Sequence, residues 1–392
     1  MSDWPPRSAN DAPQGDRPGR PATRVVHAGL RDAQQGEPFL AGPVLAAPFH
    51  LQGRSDASRY GYARYANPTW SAYEDALGEL ESGEVVLFSS GMAAVAAVLL
   101  PSLGAGDVVV VPGDGYPGVC TIAVEQLRPR GAEVRVVASD EGAIRAALQG
   151  ATLVWIETPS NPGLDVLDVE ALAAAAHEAG ALLAVDNTLA TPLTQRPLQL
   201  GADLSISSAS KLLTGHSDLV LGYVAVADGD RATALRTWRG LTGAIAGPLE
   251  TWLAHRSLAT LDVRHERQCA TALVLAEALA RRDDVRDVRY PGLADHPAHA
   301  LAARTFGERF GCVLCFDLET EHRAQAFLGA CRLVAEATSF GGVHSSAERR
   351  LRWGIDDVSP GFIRLSTGLE DARDLVADVL GALDGVGGTG TV

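Results

Sequence analysis

The chain has 392 residues, too many for one ordinary hydrophobic core, so two or three domains are expected. With 46% hydrophobic and 21% charged residues it has the proportions of a soluble globular protein, and its formal net charge of −15 argues against a nucleic-acid or anionic-membrane surface. The longest apolar stretches, such as 93–100, fall well short of the roughly 20 residues that span a bilayer.

Residues 1–22 are rich in Pro, Asp, Arg and Gly without an apolar signal core. They read as a disordered lead-in with no export signal, which makes the cytoplasm the default compartment. From Pro68 onward helical and strand-like segments alternate. A helix is expected over 71–81, opened by a capping box from Ser71 to Glu74. A strand at 85–88 ends in Ser89-Ser90-Gly91, and an Ala-rich helix over 92–103 stops at Gly104. Strands at 108–111, 133–137 and 152–156 alternate with helices at 118–127 and 141–148. A helix at 169–179 then precedes strands at 182–185, 204–207 and 220–226. Short β-rich runs separated by helices of similar length predict an α/β fold with a mostly parallel, doubly wound sheet over 68–260.

Residues 249–279 read as one long or kinked helical connector. Beyond it, strands near Val288, at 311–317 and at 362–365 alternate with helices from His296, over 321–329 and from Glu370. This predicts a smaller C-terminal α/β domain over 261–383, followed by a flexible tail over 384–392. The five cysteines are scattered; Cys312 and Cys315 make a C-x-x-C inside a buried-strand pattern, where such a spacing points to opposite faces. No second Cys pair or His cluster completes a zinc set, so no metal is expected.

The chemistry is concentrated at the carboxyl ends of the expected strands, where open α/β sheets gather ligands. Asp186 closes one strand and Lys211, in Ser208-Ala209-Ser210-Lys211, follows another. An amine that can form a Schiff base and a carboxylate that can hold a ring nitrogen protonated are what pyridoxal phosphate requires of its host. Ser90-Gly91-Met92 opens a helix whose first N–H groups can hold a phosphate, and the Ser208 and Ser210 hydroxyls can add to it. Tyr116 could stack on a ring, and the run from Glu157 to Asn161 ends in a polar amide. Each feature has a plain alternative: a loop cation, a helix cap, a loop aromatic. Their convergence on one end of one sheet is what favours the cofactor.

These residues sit in stretches that resemble the Cys/Met-metabolism group of fold-type-I pyridoxal-phosphate enzymes, which includes cystathionine γ-lyases, cystathionine γ-synthases and methionine γ-lyases. The matching stretches are Tyr62-Ala-Arg64-Tyr-Ala-Asn67-Pro68, Ser89-Ser-Gly91-Met92, Glu157-Thr-Pro-Ser-Asn161-Pro162, Val185-Asp186-Asn187-Thr188, Ser210-Lys211-Leu-Leu-Thr-Gly215-His216 and Ile363-Arg364-Leu-Ser366. The likeness runs in order from about Thr23 to Leu383. Within the group, Ala347-Glu-Arg-Arg350 and Arg352-Trp-Gly354 look most like actinobacterial cystathionine γ-lyases.

The resemblance implies roles. Lys211 would carry the cofactor and shuttle protons, Asp186 would pair with the ring nitrogen, and Tyr116 would stack on the ring and serve as acid or base at the leaving group. Gly91, Met92, Ser208 and Ser210 would bind the phosphate. Tyr62 and Arg64, on an arm over 23–67, would reach the phosphate of a neighbouring subunit, making the protein a homotetramer assembled as a dimer of dimers. Arg364 would clamp the substrate carboxylate, helped by Asn161 and Ser339. The implied reaction is γ-elimination from L-cystathionine. γ-Replacement on an acylated homoserine and methionine γ-elimination are the alternatives, and a catalytically silent scaffold is a remote one. The chain departs from the group's pattern at Ser210 (usually Thr), Phe340 (usually Leu), His344 (often Glu), Thr338 (Glu in several cystathionine-cleaving relatives) and Gly118 (Cys in methionine γ-lyases). His216 reads as a packing residue.

Overall fold

A computed structural model of the protein describes residues 20–30, 34–54 and 58–387. The expected lead-in and tail lie mostly outside these residues, but the described part of each runs into a helix. Pro21–His27 is a helix, and the last helix, Ala372–Gly387, runs past Leu383, with Asp384 paired to Arg282 at 2.7 Å.

The larger sheet is built from β1 (Glu84–Phe88), β2 (Val108–Pro112), β3 (Glu133–Val137), β4 (Leu153–Glu157), β5 (Leu182–Asp186), β6 (Leu204–Ser207) and β7 (Gly222–Val226). Its order is β1-β7-β6-β5-β4-β2-β3. Strands β2 to β6 are mutually parallel, and β7 runs antiparallel to both β6 and β1. Strands β2, β4 and β7 are buried at every position, as expected where helices cover both faces. One face packs Val86, Phe88, Val109, Val111 and Trp155 into one core; the other packs Val110, Val154, Ile156, Leu183 and Val185 into a second.

The smaller sheet contains β8 (Arg286–Arg289), β9 (Val313–Asp317), β10 (Ala335–Glu336), β11 (Ser346–Arg349) and β12 (Phe362–Ser366), in the order β10-β11-β12-β9-β8. Leu314, Phe316, Ile363 and Leu365 on one of its faces pack with Phe327 and Leu375 from its helices. Cys312 lies one residue before β9. Its sulfur is 3.7 Å from Ser366 Oγ, while the Cys315 thiol donates to Pro162 O at 3.2 Å. Burial keeps both as thiols, pushing Cys312 up to about 11 and Cys315 up to about 12.

Several local expectations are corrected. The helix expected from Ser71 spans Pro68–Glu81, because Asn67 caps it by accepting the Thr69 N–H at 2.8 Å and Pro68 fits the first turn. Glu74 is therefore no capping-box partner; it is buried and takes Leu87 N–H and Arg239 Nη1. The helix expected over 118–127 is α-helical only over Pro117–Ile122, then widens to a π turn over Ala123–Leu127. The connector is two helices, Pro248–Leu258 and Leu261–Ala280, broken at Ala259 and Thr260. Helix Gly229–Thr242 and strands β10 and β11 were not foreseen. Among the described residues, no helix is long and apolar enough to cross a membrane.

Candidate active site

The carboxyl ends of β1, β2, β4, β5 and β6 open onto one cavity of about 800 Å³, closed on its far side by the β10–β12 edge of the smaller sheet. Ten of the twelve residues predicted for the site line it: Gly91, Met92, Tyr116, Asn161, Asp186, Ser208, Ser210, Lys211, Ser339 and Arg364. The other two do not. Tyr62 is 46% exposed, and Arg64 lies against the Tyr65 ring and bonds Gly240 O and Tyr65 Oη.

At the β1 end, Ser90 caps helix Gly91–Ser102 by accepting the Ala93 N–H at 3.0 Å. The N–H groups of Gly91 and Met92 begin the helix and so have no acceptor within it. Gly91 is required here: a Cβ on it would sit 2.9 Å from Ser208 Cβ, so only glycine lets the helix start approach the β6 loop. This cradle of helix-start N–H groups and the Ser208 hydroxyl fits a phosphate. Ser210 also lines the cavity, but its hydroxyl donates to Leu221 O at 3.0 Å and accepts from Leu221 N at 2.9 Å. Its one proton is already committed.

Asp186 is 8% exposed and uses one oxygen, Oδ1, to accept Thr188 N–H at 3.0 Å and Thr188 Oγ–H at 2.6 Å. Thr188 Oγ1 in turn accepts the Ser208 N–H at 2.9 Å, tying the carboxylate to the phosphate cradle through one hydroxyl. Burial raises the Asp186 pKa against the two Thr188 bonds and the nearby Lys211 charge. A carboxyl held this way, with one oxygen fixed by its neighbours, suits a partner that bears a proton.

Lys211 follows β6, and its Nζ bonds Ser339 Oγ at 2.6 Å while lying 5.0 Å over the Phe340 ring. Burial, with help from the Arg364 charge, pushes its pKa down to about 8 although Glu348 and Asp186 pull the other way. Roughly a tenth of it is thus neutral amine at pH 7, far more than an ordinary exposed lysine offers. Ser339 reaches it from a left-handed backbone position, φ 80°. The sequence motif that contains Glu157 assigns it no role. Its Oε2 accepts the Tyr116 N–H at 2.6 Å, and burial, reinforced by Asp186 beside it on β5, raises its pKa well above the usual carboxylate range.

On the opposite wall, Arg364 is 4% exposed. It donates to Asn161 Oδ1 at 2.6 Å, to Ser339 O at 3.2 Å and to Glu348 Oε1. Glu348 faces Arg364 directly across the β11–β12 ladder. Burial works to raise the Glu348 pKa, but Arg364, Trp353 and Arg350 outweigh it and hold the carboxylate ionised. Gly118, where methionine γ-lyases carry Cys, is packed tightly: a Cβ there would meet Met92 Sδ at 2.6 Å and the Tyr116 ring at 2.8 Å. The His216 Nδ1 faces Thr214 O at 2.6 Å, outside the cavity lining, in keeping with packing. Among the described residues, no three His, Cys, Asp or Glu side chains gather as a metal site.

A buried amine of lowered pKa, a buried carboxylate and a helix-start cradle at the strand ends of a mostly parallel sheet are the arrangement expected of a fold-type-I pyridoxal-phosphate enzyme. The family model for Cys/Met metabolism PLP-dependent enzymes matches residues 22–384, and the chain belongs to that family. It is 55% identical over 367 residues to a Streptomyces coelicolor protein described as "Putative cystathionine gamma-lyase", covering 92% of this chain and 93% of that one. It is 38% identical to a Bacillus subtilis cystathionine gamma-lyase, covering 93% and 99% of the two chains. The solved structure of a cystathionine gamma synthase from Xanthomonas oryzae pv. oryzae, in complex with aminoacrylate and cysteine, superposes with a TM-score of 0.90 at 35% identity, covering 95% of this chain and all of the other. The protein is thus a pyridoxal-phosphate-dependent enzyme of carbon–sulfur bond chemistry on amino acids.

Proposed function

We propose that this enzyme catalyses γ-elimination on L-cystathionine, taking up one water and releasing L-cysteine, 2-oxobutyrate and ammonia. The observation that carries the reading is the placing of a buried amine of lowered pKa, Lys211, in one cavity with Asp186, Tyr116 and Arg364. The likeness to two γ-lyases favours elimination over replacement. When bound, pyridoxal phosphate supplies an aldehyde for the substrate amine and a ring that accepts the electrons left at the α-carbon.

The chain's own residues do the rest. The Gly91 and Met92 N–H groups and the Ser208 hydroxyl would hold the phosphate, and Asp186 would keep a proton on the ring nitrogen. Arg364, steadied by Asn161 and Ser339, holds the substrate carboxylate. Lys211 takes the α-proton and moves it along the substrate, and Tyr116 protonates the departing γ-sulfur. Tyr62 and Arg64, outside their own chain's cavity, complete the phosphate site of a neighbouring copy in a homotetramer.

Incubating the holoenzyme with cystathionine alone tests the reading. 2-Oxobutyrate is expected. Pyruvate in its place would mark β-elimination, and turnover only when an acylated homoserine and a thiol are both supplied would mark a synthase. Lys211→Ala should lose both the reaction and the visible absorption band near ~420 nm that the lysine-bound cofactor gives.

A further inference from the structure

The sequence motif around Arg350 has no task in the reaction as described, yet its side chain lines the cavity and is 7% exposed. Its Nη1 donates to Glu348 Oε1 at 2.7 Å, the same oxygen that takes the Arg364 guanidinium, and its Nη2 lies 2.7 Å from Asp356 Oδ2. Trp353 Nε1 holds the other Glu348 oxygen at 2.9 Å. The four charges therefore alternate in one buried line: Arg364, Glu348, Arg350, Asp356.

An Arg364–Glu348 pair standing alone would be internally neutral. An incoming carboxylate would then meet a cation already satisfied, with a second carboxylate beside it. Sharing Glu348 Oε1 with Arg350 divides that negative charge, and Asp356 fixes Arg350 where it can do so. We propose that Arg350 is a positioning residue for the substrate carboxylate, drawing Glu348 away from Arg364 so that Arg364 keeps its charge for the ligand. The proposal rests on the reading that Arg364 binds the α-carboxylate of an amino-acid substrate; it does not depend on that substrate being cystathionine.

The test titrates the holoenzyme spectrophotometrically with L-norleucine, which has an α-carboxylate and no thioether to expel, and with pentylamine, the same molecule without the carboxylate. Arg350→Met should raise the norleucine Kd about 10-fold, the scale of coupling between adjacent charges, and leave that of pentylamine unchanged. Arg350→Lys should recover most of the loss. Because Arg350→Met strands Asp356, the double variant Arg350→Met/Asp356→Asn removes both charges together and should show the same selective loss. An equal rise for both ligands, or no rise for norleucine, would overturn the proposal. Arg364→Met separates the two layers: if it leaves norleucine binding intact, the carboxylate reading of Arg364 itself fails. If it weakens binding while Arg350→Met does not, only the proposal fails.

Discussion

The two walls of the cavity handle buried charge in opposite ways. On the larger sheet, Asp186 and Glu157 stand side by side at adjacent strand ends, and burial favours their protonated forms. On the smaller sheet, Glu348 stays ionised because arginines flank it on two sides. The first wall waits for a cation to bring its carboxylate into use, and a protonated ring nitrogen is such a cation. The second wall is already balanced, and a ligand carboxylate must compete with a carboxylate in place. On the proposed reading, cofactor binding would depend on desolvation, and substrate binding on how a fixed set of charges is shared.

The largest effect expected from breaking this contrast is at Asp186. Asp186→Asn keeps the shape and the Thr188 contacts but removes the charge proposed to hold the ring proton. The rate should fall on the order of 10³-fold, about 4 kcal/mol in transition-state terms, with the cofactor still bound by its phosphate. Steady-state kinetics together with the visible spectrum check both halves; a normal rate would mean that the carboxyl is not the ring's partner.

On the other wall the first cost is in stability. Arg364→Met strands Glu348 with Arg350 as its one remaining cation, and loss of one partner of a buried pair costs about 3–5 kcal/mol. Arg364→Met/Glu348→Met removes both charges and should restore much of that loss without restoring carboxylate binding. Urea midpoints of the two variants measure the difference. If the double variant is the less stable of the two, the wall is held by packing and not by charge balance.

The desolvated behaviour of the larger domain extends away from the cavity, which offers a pH test. Glu81 is fully buried and accepts the Tyr223 hydroxyl at 2.5 Å; burial raises its pKa from 4.5 to about 7 despite that bond. A raised folded-state pKa means that the contribution is fully present below about 4.5, where folded and unfolded chains are both protonated. It is lost as pH rises to about 7, because the unfolded chain ionises first. The loss totals about 3 kcal/mol. Glu81→Gln should therefore gain on the wild type by up to that amount at pH 8 and by little at pH 5, as read from unfolding midpoints. An equal effect at both pH values would remove the titration from the account.

How far the sequence was legible follows the same division. Most strands of the larger sheet announce themselves as short apolar runs, such as Val108–Pro112, because both their faces are covered. Lys211, Asp186 and Gly91 follow from where those runs end. Strand β11 was invisible because Ser-Ala-Glu-Arg carries no apolar alternation, and its buried Glu348 reads as surface until Arg364 is seen opposite it. The reversed direction of β7 is a matter of pairing partners, which no local pattern encodes. The role of Glu157 was hidden for a related reason: what it holds is a backbone N–H 41 residues away.

The smallest expected effect separates two residues that spacing made equivalent. Ser208 and Ser210 flank the lysine alike in sequence, and both were assigned to the phosphate. In the fold, the Ser210 hydroxyl spends its proton on Leu221 O and takes Leu221 N–H in return, joining the lysine loop to the segment entering β7. Ser208 has its N–H tied to Thr188, and its side chain packs against the Gly91 helix start. Ser208→Ala should thus weaken cofactor affinity with little change in the stability of the cofactor-free protein. Ser210→Ala should do the reverse, costing about 1 kcal/mol of stability while leaving affinity nearly unchanged. Cofactor titration and melting of the two apo variants measure both quantities. Equal losses of affinity would mean that the Ser210 hydroxyl leaves Leu221 for the phosphate on binding, and that the larger-sheet wall rearranges more than its packed strand ends suggest.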